Sequence, residues 1–211
     1  MKISYAITVC NELVEIQKLV SYLLENIRQE DEIVILYDSK NGDKKVEEYL
    51  RAKSVNPTYS WHSGEFDGHF ADWKNKLTDL CNGDYIFQID ADEIPNKELI
   101  DNLPQILEMN SVDVILVPRV NLVDGLTDEY IKKWNWNVDD KGRVNWPDPQ
   151  WRVYKKSESI RWINKVHEKL EGYDTISNLP WVEELSLFHH KDIDKQIKQN
   201  DLKFAAKRAK I

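Results

Sequence analysis

The apolar positions follow two alternating rhythms over the first half of the chain. Ile3–Val9 is a nearly unbroken β-prone run. Leu13, Ile16, Val20, Leu23 and Ile27 then recur at spacings of three and four, which predicts a strand followed by a helix that opens near Asn11. Glu32–Tyr37 repeats the strand signal, and Asn41-Gly42 turns the chain into a short helix around Val46–Leu50. Val55–Trp61 reads as a third, weaker strand, and Phe70, Trp73, Leu77 and Leu80 form a helical stripe stopped by Asn82-Gly83. A fourth strand, Tyr85–Ile89, empties into Asp90. Near-continuous apolar strands separated by amphipathic helices predict an α/β fold with a mostly parallel sheet covered on both faces.

The second half is less regular. The pattern predicts a helix over Asn96–Met109 interrupted at Pro104, a strand over Val112–Val120, a last strand over Glu184–Phe188 that meets His189-His190, and a helical tail from Asp192. Five of the eight tryptophans, Trp134, Trp136, Trp146, Trp151 and Trp162, lie between them among Asn, Asp, Gly and Pro, which predicts antiparallel strands and long loops. No repeat or linker divides the chain, so one domain over residues 1–211 is expected.

Composition narrows the partners. A chain of 211 residues with 41% hydrophobic content can close one sizeable core. Its formal charge of -8 argues against a general nucleic-acid binder, whose affinity would come from clustered Lys and Arg. Cys10 and Cys81 are too few for a disulfide framework and point to a reducing, cytoplasmic setting with both thiols packed. Met1–Cys10 is too short for a signal segment, and no window reaches the roughly 18 apolar residues that would span a membrane.

Asp90-Ala91-Asp92-Glu93 places three carboxylates within four positions at the end of a buried strand, an unfavourable place for charge without a cation or ligand. Asp90 and Asp92 flank one residue and can offer oxygens to a hard divalent ion, Mn²⁺ or Mg²⁺. The rival reading is a solvated turn in which Asp92 or Glu93 caps the helix after Pro95. Ligands of parallel sheets bind beyond the carboxyl ends of the strands, where Asn11-Glu12, Asp38 and Asp90–Glu93 would all converge.

Four segments together carry a family resemblance: Ile7-Thr8-Val9-Cys10-Asn11-Glu12, Asp31-Glu32-Ile33-Val34-Ile35 before Asp38, Phe70 through Asn75 before Gly83-Asp84-Tyr85-Ile86, and Ile89-Asp90-Ala91-Asp92-Glu93. They resemble the inverting, metal-dependent glycosyltransferases of family 2. Further on, Gln150-Trp151-Arg152-Val153-Tyr154, Val166-His167-Glu168 and the strand ending in His189 look, more loosely, like the branch that includes lipopolysaccharide core transferases. The resemblance implies the GT-A fold: a Rossmann-like, mostly parallel sheet flanked by helices, with a smaller antiparallel, loop-rich C-terminal half. Residues 1–95 would form the nucleotide-binding half, 96–190 the half that receives the acceptor and completes the metal site, and 191–211 a helical tail.

The resemblance also implies roles. Thr8, Asn11, Glu12 and Asp38 would hold the base and ribose of a nucleotide sugar, specifically a UDP-sugar, with Lys74 and Asn75 near the nucleotide. Lys74 stands where the family usually shows Arg, which argues against a bidentate phosphate contact. Asp90 would bridge ribose and metal. Asp92 would ligate Mn²⁺ or Mg²⁺ together with a late histidine, His189, with His190 and His167 as rivals. Glu168 would be the base that takes the acceptor proton, and Trp134, Trp136, Trp146 and Arg152 would face a saccharide or glycoconjugate acceptor. Each role has a structural rival: Asn11 as an N-cap, Lys74 as a solvated helix face, Glu168 paired with Lys165 or Lys169, and the tryptophans as core, which is the expectation for Trp162 and Trp181. From Lys191 the tail carries seven Lys or Arg against three Asp, suited either to an anionic membrane surface or to a solvated helix. Two further functions stay open, a sugar-phosphate nucleotidyltransferase and a non-catalytic carbohydrate-binding module, the first weakened by the lack of a glycine-rich phosphate loop near the first strand.

Overall fold

The computed structural model describes residues 1–198 and 200. In chain order, the first half comprises β1 (Ile3–Val9), α1 (Leu13–Asn26), β2 (Glu32–Asp38), α2 (Lys44–Lys53), β3 (Tyr59–Gly64), α3 (Phe70–Leu80) and β4 (Tyr85–Asp90). The second comprises β5 (Glu93–Pro95), α4 (Lys97–Asn110), β6 (Val114–Val117), β7 (Arg119–Asp124), α5 (Asp128–Trp134), β8 (Gln150–Lys155), β9 (Arg161–Ile163), β10 (Lys169–Glu171), β11 (Ile176–Asn178) and β12 (Leu187–Asp192).

The central sheet has seven strands in the order β11-β6-β8-β4-β1-β2-β3. β8 runs antiparallel to both its neighbours, and the other pairings are parallel. Strand alternation explains its two-sided core. Ile3, Tyr5, Ile7 and Val9 of β1 point with Phe87 and Ile89 toward α1, α2 and α4, where Ile16, Leu19, Leu23, Leu50 and Leu103 are buried. Ala6, Val34, Leu36 and Ile86 point the other way, against Trp73 and Leu77 of α3 and Trp162 of β9. The fold is therefore the α/β arrangement expected, with a mostly parallel sheet between helices.

Several boundaries differ from the expectation for identifiable reasons. α1 starts at Leu13 rather than Asn11, because the Glu12 carboxylate folds back to accept from the backbone N–H groups of Cys10 at 2.9 Å and Asn11 at 3.0 Å. The third strand lies later, at Tyr59–Gly64. α4 passes through Pro104 uninterrupted: the proline removes one donor, but Leu99, Ile100, Leu103 and Leu107 keep a buried face on either side of it. The single strand expected over Val112–Val120 is instead two. Pro118 has no N–H for a ladder, its carbonyl accepts from Leu187 at 2.9 Å, and the chain crosses there from the central sheet to a three-stranded sheet ordered β5-β12-β7. The last strand begins at Leu187, after a 3-10 turn at Glu183–Leu185, so His189 and His190 lie inside it rather than beyond it.

Trp162 is buried as expected, whereas Trp181 is 61% exposed and fills no core. Residues 193–198 continue as helix, and the rest of the expected helical tail, with most of its basic residues, lies outside the described residues. Among the described residues no helix is long and apolar enough to cross a membrane.

Candidate active site

The carboxyl ends of β1, β2 and β4 open into one cleft of about 630 Å³, closed on its far side by the start of β8 and the β9–β10 connection. Its lining includes Thr8, Glu12, Asp38, Lys74, Asp90, Asp92, Arg152, His167 and Glu168. A cleft of this volume at the strand ends is where ligands of such sheets bind. Thr8 is the register partner of Asp90, so the first and fourth strands deliver their polar ends side by side.

Asp38 is almost fully buried and accepts from the backbone N–H groups of Lys40 at 3.0 Å and Phe66 at 3.2 Å and from the Asn41 side chain at 2.8 Å. Burial opposes its ionisation, but these donors outweigh burial and hold the carboxyl below the ordinary range. Gly42 completes the loop, since a Cβ there would collide with the Asp38 carbonyl and the Tyr37 ring. The Cys10 thiol lies 3.8 Å from Asp38 and is pushed up to about 11 by burial and by the Asp38 and Glu12 charges.

Asp90 accepts from Arg152 Nη2 at 2.5 Å and Gln88 Nε2 at 3.0 Å, yet its side chain remains 37% exposed to the cleft. Burial works against its charge, but the Arg152 and Lys74 charges overcome it and keep the carboxyl far below the usual range. Arg152 is buried beneath Asp90 and also donates to Glu93 at 2.7 Å and Gln88 at 3.0 Å. It therefore braces Asp90, and it also lines the cleft.

Glu93, His189 and Asn121 occupy one row across β5, β12 and β7. In that row Asn121 Oδ1 faces His189 Nδ1 at 2.8 Å, and His189 Nε2 faces Asp92 Oδ2 at 3.2 Å. The Asn121 amide nitrogen is engaged by Asp148 at 2.7 Å, so its oxygen is the group turned to the imidazole, and Nδ1 must be the protonated nitrogen. Nε2, the nitrogen left to meet Asp92, has its ring orientation fixed from behind by Asn121. Burial raises the Asp92 carboxyl, but His189 and Lys191 outweigh it and the net shift is downward. Among the described residues no group of three or more His, Cys, Asp or Glu side chains is placed to hold a metal ion. Strand alternation turns the neighbouring His190 outward to solvent, and His167 lies beside Glu168 in the cleft lining.

Glu168 pairs not with Lys165 or Lys169 but with Lys74, whose ammonium is 3.6 Å from its carboxylate and 4.4 Å from the centre of the Trp162 ring. Lys74 is thus neither a solvated helix face nor a buried structural cation. The structure takes other expected residues out of the cleft. Asn75 exchanges two hydrogen bonds of 2.9 Å with the backbone of Trp162, which spends its amide on anchoring β9 to α3. Asn11 is exposed and outside the cleft lining. Trp134 packs on Tyr130 and Trp136, and Trp146 lies under the Arg143 guanidinium, so none of these three tryptophans lines the cleft. Trp136 lines a second cavity of about 310 Å³ together with His189, which is not among the residues lining the main cleft. The aromatic residues lining the cleft are Phe66, Phe70, Trp73, Trp151 and Trp162. The helical stripe contained two of them, Phe70 and Trp73, but its spacing predicts a helix and no ligand contact.

Comparison with known proteins gives these features a setting. The sequence model described as Glycosyl transferase family 2 matches residues 4–169. The SPbeta prophage-derived glycosyltransferase SunS of Bacillus subtilis is 22% identical over 191 residues, which cover 89% of this chain and 39% of that protein. An uncharacterized glycosyltransferase of Rickettsia bellii is 32% identical over 124 residues, 58% of this chain and 38% of that protein. The chain thus spans about two-fifths of the length of the curated relatives it matches. The crystal structure of S. aureus TarS 1-349 shares the fold, with a TM-score of 0.63 over 90% of this chain and 60% of that one, at 14% identity. TarS 1-349 in complex with UDP gives the same TM-score at 15% identity. With the family match extending from β1 to the start of β10, past every strand end that lines the cleft, the chain belongs to glycosyl transferase family 2.

Proposed function

We propose that this chain transfers a sugar from a UDP-sugar to an acceptor hydroxyl, with inversion and in a metal-dependent manner. The observation that carries the proposal is the convergence of an ionised Asp90, Asp92, Lys74 and Glu168 in one cleft at the strand ends, with His189 3.2 Å behind Asp92. Structures of the fold neighbour TarS with UDP and with UDP-GlcNAc support the choice of nucleotide.

Asp38, Thr8 and Glu12 at the ends of β1 and β2 take the nucleoside, where carboxylates accept from ribose hydroxyls or a pyrimidine N–H. Asp90 receives the ribose side and Lys74 offers its charge to the diphosphate. Asp92 and His189 would hold Mn²⁺ or Mg²⁺, which as a Lewis acid offsets the charge that develops on the leaving diphosphate. Glu168 takes the proton of the acceptor hydroxyl as the new bond to the anomeric carbon forms and the bond to phosphate breaks, giving inverted product and UDP. Occupation of Lys74 by the diphosphate would draw it from Glu168 and leave that carboxylate ready to accept a proton.

A panel of nucleotide sugars incubated with the full chain, with and without Mn²⁺, tests this reading. Metal-dependent release of UDP from a UDP-sugar is expected. Release of inorganic diphosphate, or no turnover of any donor with either metal, would overturn it.

A further inference from the structure

Glu93 does not line the cleft and is fully buried, yet both arms of the site hang from it. Its Oε1 accepts from Arg152 Nη2 at 2.7 Å, and that same nitrogen reaches Asp90. Oε1 also accepts from Arg119 Nη1 at 2.9 Å. Arg119 grips Asp148 through Nε at 2.9 Å and Nη2 at 2.8 Å, Asp148 accepts from Asn121, and Asn121 faces His189. The other oxygen, Oε2, accepts from the Asp90 backbone N–H at 3.2 Å. A continuous circuit therefore runs from Asp90 under the Ala91 turn to the Asp92–His189 pair.

The chemistry fixes the direction of every bond in it. Guanidinium groups only donate and carboxylates only accept, so Arg119 commits Asp148 as an acceptor and Asp148 commits the Asn121 nitrogen as a donor. Asn121 is left to offer its oxygen, so His189 carries a proton on Nδ1 and its Nε2 is the nitrogen that meets Asp92. Buried ion pairs seldom stabilise a fold more than apolar packing of the same volume would. A charged circuit whose two ends both surface at the cleft is better explained by orientation, the role that partners behind a metal ligand commonly play.

We infer that Glu93 is a positioning residue for the donor site. Through Arg152 it sets where Asp90 stands, and through Arg119, Asp148 and Asn121 it sets the tautomer and aim of His189, so that the ribose-side carboxylate and the metal-facing pair keep one spacing. The inference rests on the proposed function, because it assigns what Glu93 positions those groups for.

Titration calorimetry of UDP into the full chain, with and without Mn²⁺, separates the two claims. The wild type should gain UDP affinity from the metal. Glu93→Gln, which keeps the shape and removes the charge between the two arginines, should lose about 10–100-fold of that gain, a larger fall than in the metal-free UDP affinity that Asp90 supports. Asn121→Ala, at the half-buried far end of the circuit, should lose the gain in the same way, and it serves if Glu93→Gln does not fold by circular dichroism. A metal gain that persists in a folded variant overturns the inference, as does an equal fall in both affinities, the mark of a merely structural role. A wild type that gains nothing from Mn²⁺ overturns the proposed function along with it.

Discussion

On one wall of the cleft Asp90 and Asp92 are held at 2.5 to 3.2 Å by Arg152, Gln88 and His189, each of which has a further hydrogen-bond partner of its own. On the other, Lys74 and Glu168 meet at 3.6 Å, and Glu168 follows a connection in which Asn164 and His167 carry positive φ values of 74° and 58°. The first wall suits charge stabilisation, which gains most from donors and acceptors that need no reorganisation during the reaction. The second suits groups that change partners, as the proposed reaction asks of Lys74 and Glu168 when they part to meet phosphate and acceptor. Non-glycine residues in the left-handed region are a local cost that tends to persist at functional connections.

Substitutions should separate the walls. The largest effect is expected from Glu168→Gln, which removes the base and should lower turnover by about 10²–10⁴-fold in a UDP-release assay. The same variant should bind UDP with Mn²⁺ as the wild type does, and a weakened complex would mean that the two walls are not independent. Arg152→Ala should act on stability instead, costing about 3–5 kcal/mol because Asp90 and the buried Glu93 would lose their shared partner. A denaturant midpoint at the wild-type value would show that the fixed wall is not fixed by this arginine. Lys74→Met should move the midpoint less than Arg152→Ala does, because the 3.6 Å pair with Glu168 is loose and a methionine keeps the packing on Trp162, while lowering UDP affinity measured by calorimetry.

The smallest effect is one of pH. The folded Asp38 carboxyl titrates below its unfolded value, so its ionised form stabilises the fold above about pH 4 and that contribution is lost as pH falls through the lowered value. Asp38→Asn should be less stable at neutral pH and should show a shallower decline in Tm between about pH 5 and pH 3. A slope equal to wild type would remove Asp38 from the acid response.

The fixed wall was legible where it is local. Apolar runs and helical stripes placed β1, β2 and β4, and the rule that ligands gather at strand ends brought Asp38 to Asp90 and Asp92 across a long stretch of chain. What sequence could not show is the layer behind them. Glu93 looked like a possible cap, and Arg119, Asn121 and Asp148 gave no signal, because their partners are 26 to 68 residues away and meet only when β5, β7 and β12 form a sheet. Asn75 was expected at the nucleotide, but its amide is committed to the backbone of Trp162, 87 residues away, a pairing no local pattern announces. The tryptophans misled in the same way: Trp134, Trp136 and Trp146 sit in a loop-rich stretch, but loop content does not reveal which loops border the cleft.

Titration of UDP into wild type and Asp92→Ala, each with and without Mn²⁺, tests most directly whether this cleft is a metal-assisted nucleotide site. The account expects Mn²⁺ to strengthen binding to the wild type and to do nothing for Asp92→Ala. Equal heats with and without metal for the wild type, or an undiminished metal effect in Asp92→Ala, would contradict it.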